Sequence, residues 1–151
     1  MSKTLSSRNR SYTEDELRAR VSVLEPGVVM VREIPEATAD TFRFEMEVAR
    51  ELGRAFSEYV LIIDLAEATR PRPDVIEEII EGNRDVGVQW CVVQNTSRIM
   101  AAVTRFVLSK LAGSRIKTKT TVHTSLDDAL NEARGVLGAR PSGDGAVPTS
   151  H

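Results

Sequence analysis

The sequence predicts an α/β domain: a mixed, mostly parallel central sheet with a leading β-hairpin and about four flanking helices. Three observations lead there. Two short apolar runs, Tyr59-Val60-Leu61-Ile62-Ile63 and Val88-Gln89-Trp90-Cys91-Val92-Val93, have the length and β-branched content of strands buried on both faces, as parallel sheets require. Segments with helical spacing lie between and after them, so strands and helices alternate and right-handed crossovers follow. Ahead of both, the turn signal Glu25-Pro26-Gly27 separates two apolar segments by so little chain that they must pair antiparallel.

The elements follow in order. Thr13 and Glu16 stand at the offset of a capping box, which starts a short helical turn. Residues 20–24 carry Val21 and Val23 in alternation, and Val28-Val29-Met30-Val31 is the second strand of the hairpin. Between residues 38 and 56, Phe42, Met46, Ala49, Leu52 and Phe56 recur at steps of three and four, one face of a helix. The strand ending at Asp64 comes next. Pro71 and Pro73 then break the chain, and Asp74 suits the positive end of a helix dipole. The apolar stripe of that helix is Val75, Ile76, Ile79 and Ile80, and Gly82 and Gly87 bracket its end. After the strand 88–93, Thr96 or Ser97 caps a helix with Ile99, Met100, Val103, Phe106, Val107 and Leu111 on its inner face, and Gly113 lies just past it. A more polar strand over 117–123 precedes a last helix, capped at Ser125, with Ala129, Leu130, Ala133, Val136 and Leu137 as its apolar side.

Composition narrows the function classes. With 41% hydrophobic and 28% charged residues in 151, the chain has material for one core and is too apolar for wholesale disorder. The formal net charge of -2 supplies no global positive field for nucleic acid. No apolar run approaches the ~20 residues of a spanning helix, and residues 1–10 lack the apolar stretch of a secretory signal, so the expected location is cytoplasmic. A single cysteine, Cys91, forms no intrachain disulfide and reads as a buried structural thiol. The polar segments 1–11 and 138–151 are expected to be disordered tails around a domain at 12–137. No metal-ligand spacing, phosphate loop or nucleophile elbow occurs, and the histidines are only His123 and His151; no enzyme and no cofactor is expected. An unrecognised enzyme would need Asp64, Thr69 or His123 to converge with shifted pKa values.

Three stretches resemble the STAS domain, in its SpoIIAA-like branch: Leu61-Ile62-Ile63-Asp64-Leu65, residues 90–111, and Thr121 to Leu130 (TVHTSLDDAL). Together they lie within residues 24–137. The resemblance implies a non-catalytic protein-interaction module in bacterial signalling or regulation. Kinship with Sec14-type domains implies the alternative, a carrier of a small molecule or lipid. One departure matters: regulatory STAS domains carry an Asp-Ser-type phosphorylation loop after the central strand. Here that loop, Ala66 to Asp74 (AEATRPRPD), has no Asp-Ser pair and its one hydroxyl is Thr69. The usual phospho-Ser switch is therefore not expected.

Candidate binding residues lie beyond the carboxyl ends of the two central strands, where open α/β sheets take ligands. In the first loop they are Thr69, Arg70, Arg72 and Asp74; the arginines suit a phosphate or carboxylate, and a solvated turn is the plainer alternative. In the second they are Asn95, Thr96, Ser97 and Arg98; backbone N–H groups there suit an anion, and simple N-capping is the plainer alternative. Arg98, Arg105, Lys110, Arg115, Lys117 and Lys119 form a stretch without acidic residues, whereas Asp74, Glu77, Glu78 and Glu81 make the preceding helix acidic. The basic stretch suits an acidic protein partner or an anionic small molecule or lipid head group. It lacks the interleaved aromatics that stack on single-stranded nucleic acid. Phe106 and Leu108 widen the stripe of their helix beyond one core face, which suits a lipid-lined pocket or a homodimer contact, and core packing alone is the plainer alternative.

Overall fold

The computed structural model describes residues 4–6, 10–82, 86–94, 97–112 and 119–139. The elements run β1 (Thr4–Ser6), β2 (Ser11–Thr13), α1 (Glu14–Arg18), β3 (Val21–Glu25), β4 (Val28–Arg32), α2 (Ala39–Gly53), β5 (Val60–Asp64), α3 (Pro73–Gly82), β6 (Gln89–Val93), α4 (Arg98–Ala112), β7 (Lys119–His123) and α5 (Leu126–Ala139).

A five-stranded sheet has the order β3-β4-β5-β6-β7. The first pair is antiparallel and the rest are parallel, with Ile62 opposite Met30 on one side and Cys91 on the other. This is the expected mixed, mostly parallel sheet with its leading hairpin. Gly27 closes that hairpin at φ 81°, a conformation in which a Cβ is strained, and Pro26 before it presets the turn.

Strand parity divides the interior. Val29, Val31, Leu61, Ile63, Trp90 and Val92 point to one face and pack with Phe42, Met46, Val48 and Ala49 of α2. Val28, Met30, Val60, Ile62, Cys91 and Val93 point to the other and pack with Ala129 and Ala133 of α5. Successive right-handed crossovers in one direction put α2, α3 and α4 on the same side, so among the described residues α5 alone covers the opposite face. The two small alanines let α5 lie close on the sheet, whereas α3 and α4 stand off it.

Caps fall where the side chains allow. Thr13 forms the capping box with Glu16, and Thr38 caps α2 through Thr41. Ser97 accepts from the Met100 N–H at 3.4 Å and Ser125 from the Asp128 N–H at 3.1 Å. Two sequence expectations are corrected. Residues 4–6 do not belong to a featureless tail: they pair with β2, and Leu5 packs on the small cluster of Tyr12, Leu17 and Ile34. The helix expected to reach residue 56 stops at Gly53, because the Tyr59 ring lies over the Gly53 Cα and the chain turns beneath it. The tail expected at 138–151 falls outside the described residues from position 140, and α5 continues to Ala139.

Candidate functional site

The loop after β5 is held at both ends. The Asp64 carboxylate accepts from the Ala66 N–H at 2.9 Å, and the Leu65 N–H bonds to the Val93 carbonyl at 3.0 Å. Farther on, Thr69 Oγ1 accepts from the Glu36 N–H at 2.7 Å, which ties this loop to the segment after β4. Glu36 has φ 54°, so the bond secures a turn that a non-glycine residue adopts only under constraint.

Beneath this loop lies a cavity of about 90 Å³. It arises where α3 and α4 stand off the sheet. Its floor is Ile63 and Val92; its walls are Phe42, Val75 and Ile79, with Met100, Val103 and Val107 from α4. Among its lining residues only Glu33, Thr69, Thr104 and Thr120 carry polar side-chain atoms, apart from the Trp90 N–H. The Thr104 hydroxyl donates to the Met100 carbonyl and the Trp90 Nε1–H to the Val86 carbonyl. Among the described residues Glu33 is therefore the one ionisable group on a largely apolar wall.

Outside the cavity, a groove of about 980 Å³ runs between α3 and α4. Ile76 and Ile80 line one side, Ile99 and Phe106 the other, and Arg70, Arg72, Glu77 and Lys110 stand around it. Pro71 and Val103 line both spaces, so the groove and the cavity adjoin there. Ile99 is 64% exposed and Phe106 51%, large apolar exposures of the kind that mark a contact surface when clustered. Lys110 lies 5.5 Å from the centre of the Phe106 ring.

The sequence-predicted residues divide among these features. Thr69 is at the cavity, and Arg70 and Arg72 are at the groove. Arg72 pairs with Asp74 at 3.5 Å across an exposed turn, and Asp74 lines neither space. Ser97 serves as the α4 cap, and the exposed Arg98 lines neither space either. Asn95 and Thr96 lie outside the described residues, as do Arg115 and Lys117. Of the two residues expected to widen the α4 stripe, Phe106 faces the groove and Leu108 the cavity. Asp64 and His123 each have a local partner, the Ala66 N–H and the Thr121 hydroxyl at 2.8 Å. The Cys91 thiol is buried, and burial pushes its pKa up.

A pair of carboxyl groups escaped the sequence reading. Glu33, just past β4, is 6% exposed, and Glu45, in the middle of α2, is wholly buried. Glu33 Oε1 accepts from the Ile34 N–H at 2.9 Å. Neither Glu45 oxygen has a hydrogen-bond partner of good geometry, yet the two carboxyls lie close enough to perturb each other. Burial, foremost, pushes both pKa values up, and the Glu33 charge pushes Glu45 further. Arg20 is the cation nearest the pair, but its guanidinium bonds to Glu67 at 2.9 Å instead. A signal was present: Glu45 stands three residues after Phe42 and one before Met46, within the apolar stripe of α2.

Among the described residues no helix is long and apolar enough to cross a membrane. Compared with known proteins, the chain matches no family model, no curated protein and no solved structure.

Proposed function

We propose that the protein is a STAS-like interaction module that engages a partner protein through the groove between α3 and α4. The observation that carries this reading is the exposure of Ile99 and Phe106 beside a groove walled by Ile76 and Ile80. A partner helix with an apolar face fills such a groove, and anchors of this size dominate binding energy. Arg70, Arg72 and Lys110 at the groove favour acidic residues flanking those anchors. The STAS resemblance supports a regulatory role in bacterial signalling inside the cytoplasm, and the loop Ala66 to Asp74, without an Asp-Ser pair, argues against a phospho-Ser switch. The test is affinity capture from native cytosol with the wild-type chain and with an Ile99→Asp/Phe106→Asp variant. One specific partner retained by the first and lost by the second supports the reading; capture that ignores the substitutions refutes it.

The cavity favours a second reading, a carrier of a small apolar ligand. Apolar cavities of ~150 Å³ take up benzene, and this one, somewhat smaller at about 90 Å³, suits a short aliphatic chain.

A further inference from the structure

Two features that the STAS-like reading leaves unused meet at one place. The cavity is nearly all apolar, and among the described residues the single ionisable group on its wall is Glu33, which is more than nine-tenths buried. Behind Glu33 stands Glu45, fully buried, its oxygens facing the Glu33 carboxyl and otherwise without a partner among the described residues. Among the described residues, the donors toward this pair are the Ile34 N–H and the proton shared between the two carboxyls, because Arg20 is engaged by Glu67. Buried carboxyl oxygens without donors are costly. The site therefore has an excess of acceptors at one end of an apolar space, and a ligand that suits it brings donors and an apolar body.

We infer that the cavity between the sheet and the α3–α4 pair binds a small aliphatic primary amine, with its ammonium group on Glu33 and its hydrocarbon part against Ile63, Val75 and Val103. An ammonium group supplies three donors and the charge that two adjacent carboxyls lack. The hydrocarbon part is held by burial of its surface, and the cavity volume limits it to a handful of carbons. Pro71 and Val103, which line both spaces, form the boundary that a ligand arriving from the groove would cross. Glu33 is a binding residue in this account. Glu45 acts through it: it holds the proton of the pair and leaves the negative charge on Glu33. The inference rests on the second reading above, that the cavity holds a small apolar ligand, and adds the chemical class.

The test compares n-butylamine, n-butanol and butyrate by ligand-observed NMR titration of the full chain at neutral pH, with sodium chloride matching ionic strength. Saturable binding of n-butylamine, about tenfold tighter than n-butanol, is expected, since a charge-assisted hydrogen bond to a buried carboxylate is worth that ratio or more. Glu33→Gln should bring n-butylamine to the n-butanol level while n-butanol is unchanged. Val103→Phe, which fills the shared boundary, should weaken both and provides a check that does not depend on removing a buried carboxyl. If n-butanol binds but the amine has no advantage, or keeps it in Glu33→Gln, the amine assignment fails and the cavity reading stands. If butyrate binds most tightly, the rim arginines and not Glu33 select the ligand, and the amine assignment fails. If nothing saturates, or Val103→Phe leaves amine binding intact, the cavity is not the site and both readings fall.

Discussion

Glu33 at the end of β4 and Glu45 on α2 confront each other in the interior, with Arg20 nearby but bonded elsewhere. Burial raises both ionisations, so the folded state binds a proton that the unfolded chain releases at ordinary carboxylate pH. The sign of the linkage is then fixed. The stability of this pair is fully present below the unfolded carboxylate range and is lost as pH rises through the elevated folded values. Urea midpoints should therefore decline from about pH 5 upward, above the ordinary carboxylate range. Glu45→Gln should flatten the decline and add about 1–3 kcal/mol at alkaline pH, where the native carboxylate is charged and without donors. An unchanged slope in that variant would show that the pair does not titrate in this range.

Replacement of the two exposed anchors should separate binding from stability. Ile99→Asp and Phe106→Asp each alter a side chain more than half exposed, and such surface changes usually stay within about 0.5 kcal/mol. Partner capture should nevertheless fall to background. Thermal melts and capture assays on the same preparations decide whether the loss is local.

Gly53 is predicted to resist even the smallest addition. The Tyr59 ring occupies the space a Cβ would take, so Gly53→Ala must move a ring packed at the edge of the core. Overpacking of this kind costs about 1–3 kcal/mol. The better helix propensity of alanine, worth about 1 kcal/mol, offsets it only in part. Denaturant unfolding reads the net loss, and Gly53→Ala/Tyr59→Ala should show less than the sum of the single effects.

The Thr69 hydroxyl holds the turn at Glu36. Thr69→Val removes the acceptor at nearly constant volume and should cost about 0.5–1.5 kcal/mol. The sharper signature is local: hydrogen exchange at the Glu36 amide should accelerate, while amides of β5 and β6 keep their protection. Uniform acceleration would place Thr69 in the global cooperative unit instead.

Much of the sheet was legible because its strands announce themselves by content. Val60 to Ile63 and Trp90 to Val93 are apolar on both faces, and no exposed element tolerates that. The hairpin followed from Pro26 and Gly27, and four of the helices from their stripes. β1 was not legible, since Thr4-Leu5-Ser6 offers one apolar side chain and gains its place only through Tyr12 and Ile34, which come from elsewhere in the chain. Of the site, Thr69, Arg70 and Arg72 were found from topology alone: loops past strand ends are where ligands sit. The cavity was hidden because an empty volume depends on how far α3 and α4 stand from the sheet, a distance no local spacing encodes. Glu45 was hidden because a stripe drawn from apolar residues steps over a glutamate lying inside it.

The unequal covering of the sheet has a consequence for biosynthesis. One face is closed by α2, α3 and α4 as they follow their strands, but among the described residues the other waits for α5. Until residues 126–139 leave the ribosome, Met30, Ile62 and Cys91 have nothing to shelter them. A nascent chain in that condition is prone to stick to its neighbours or to occupy a holdase, and its maturation is timed by its last helix.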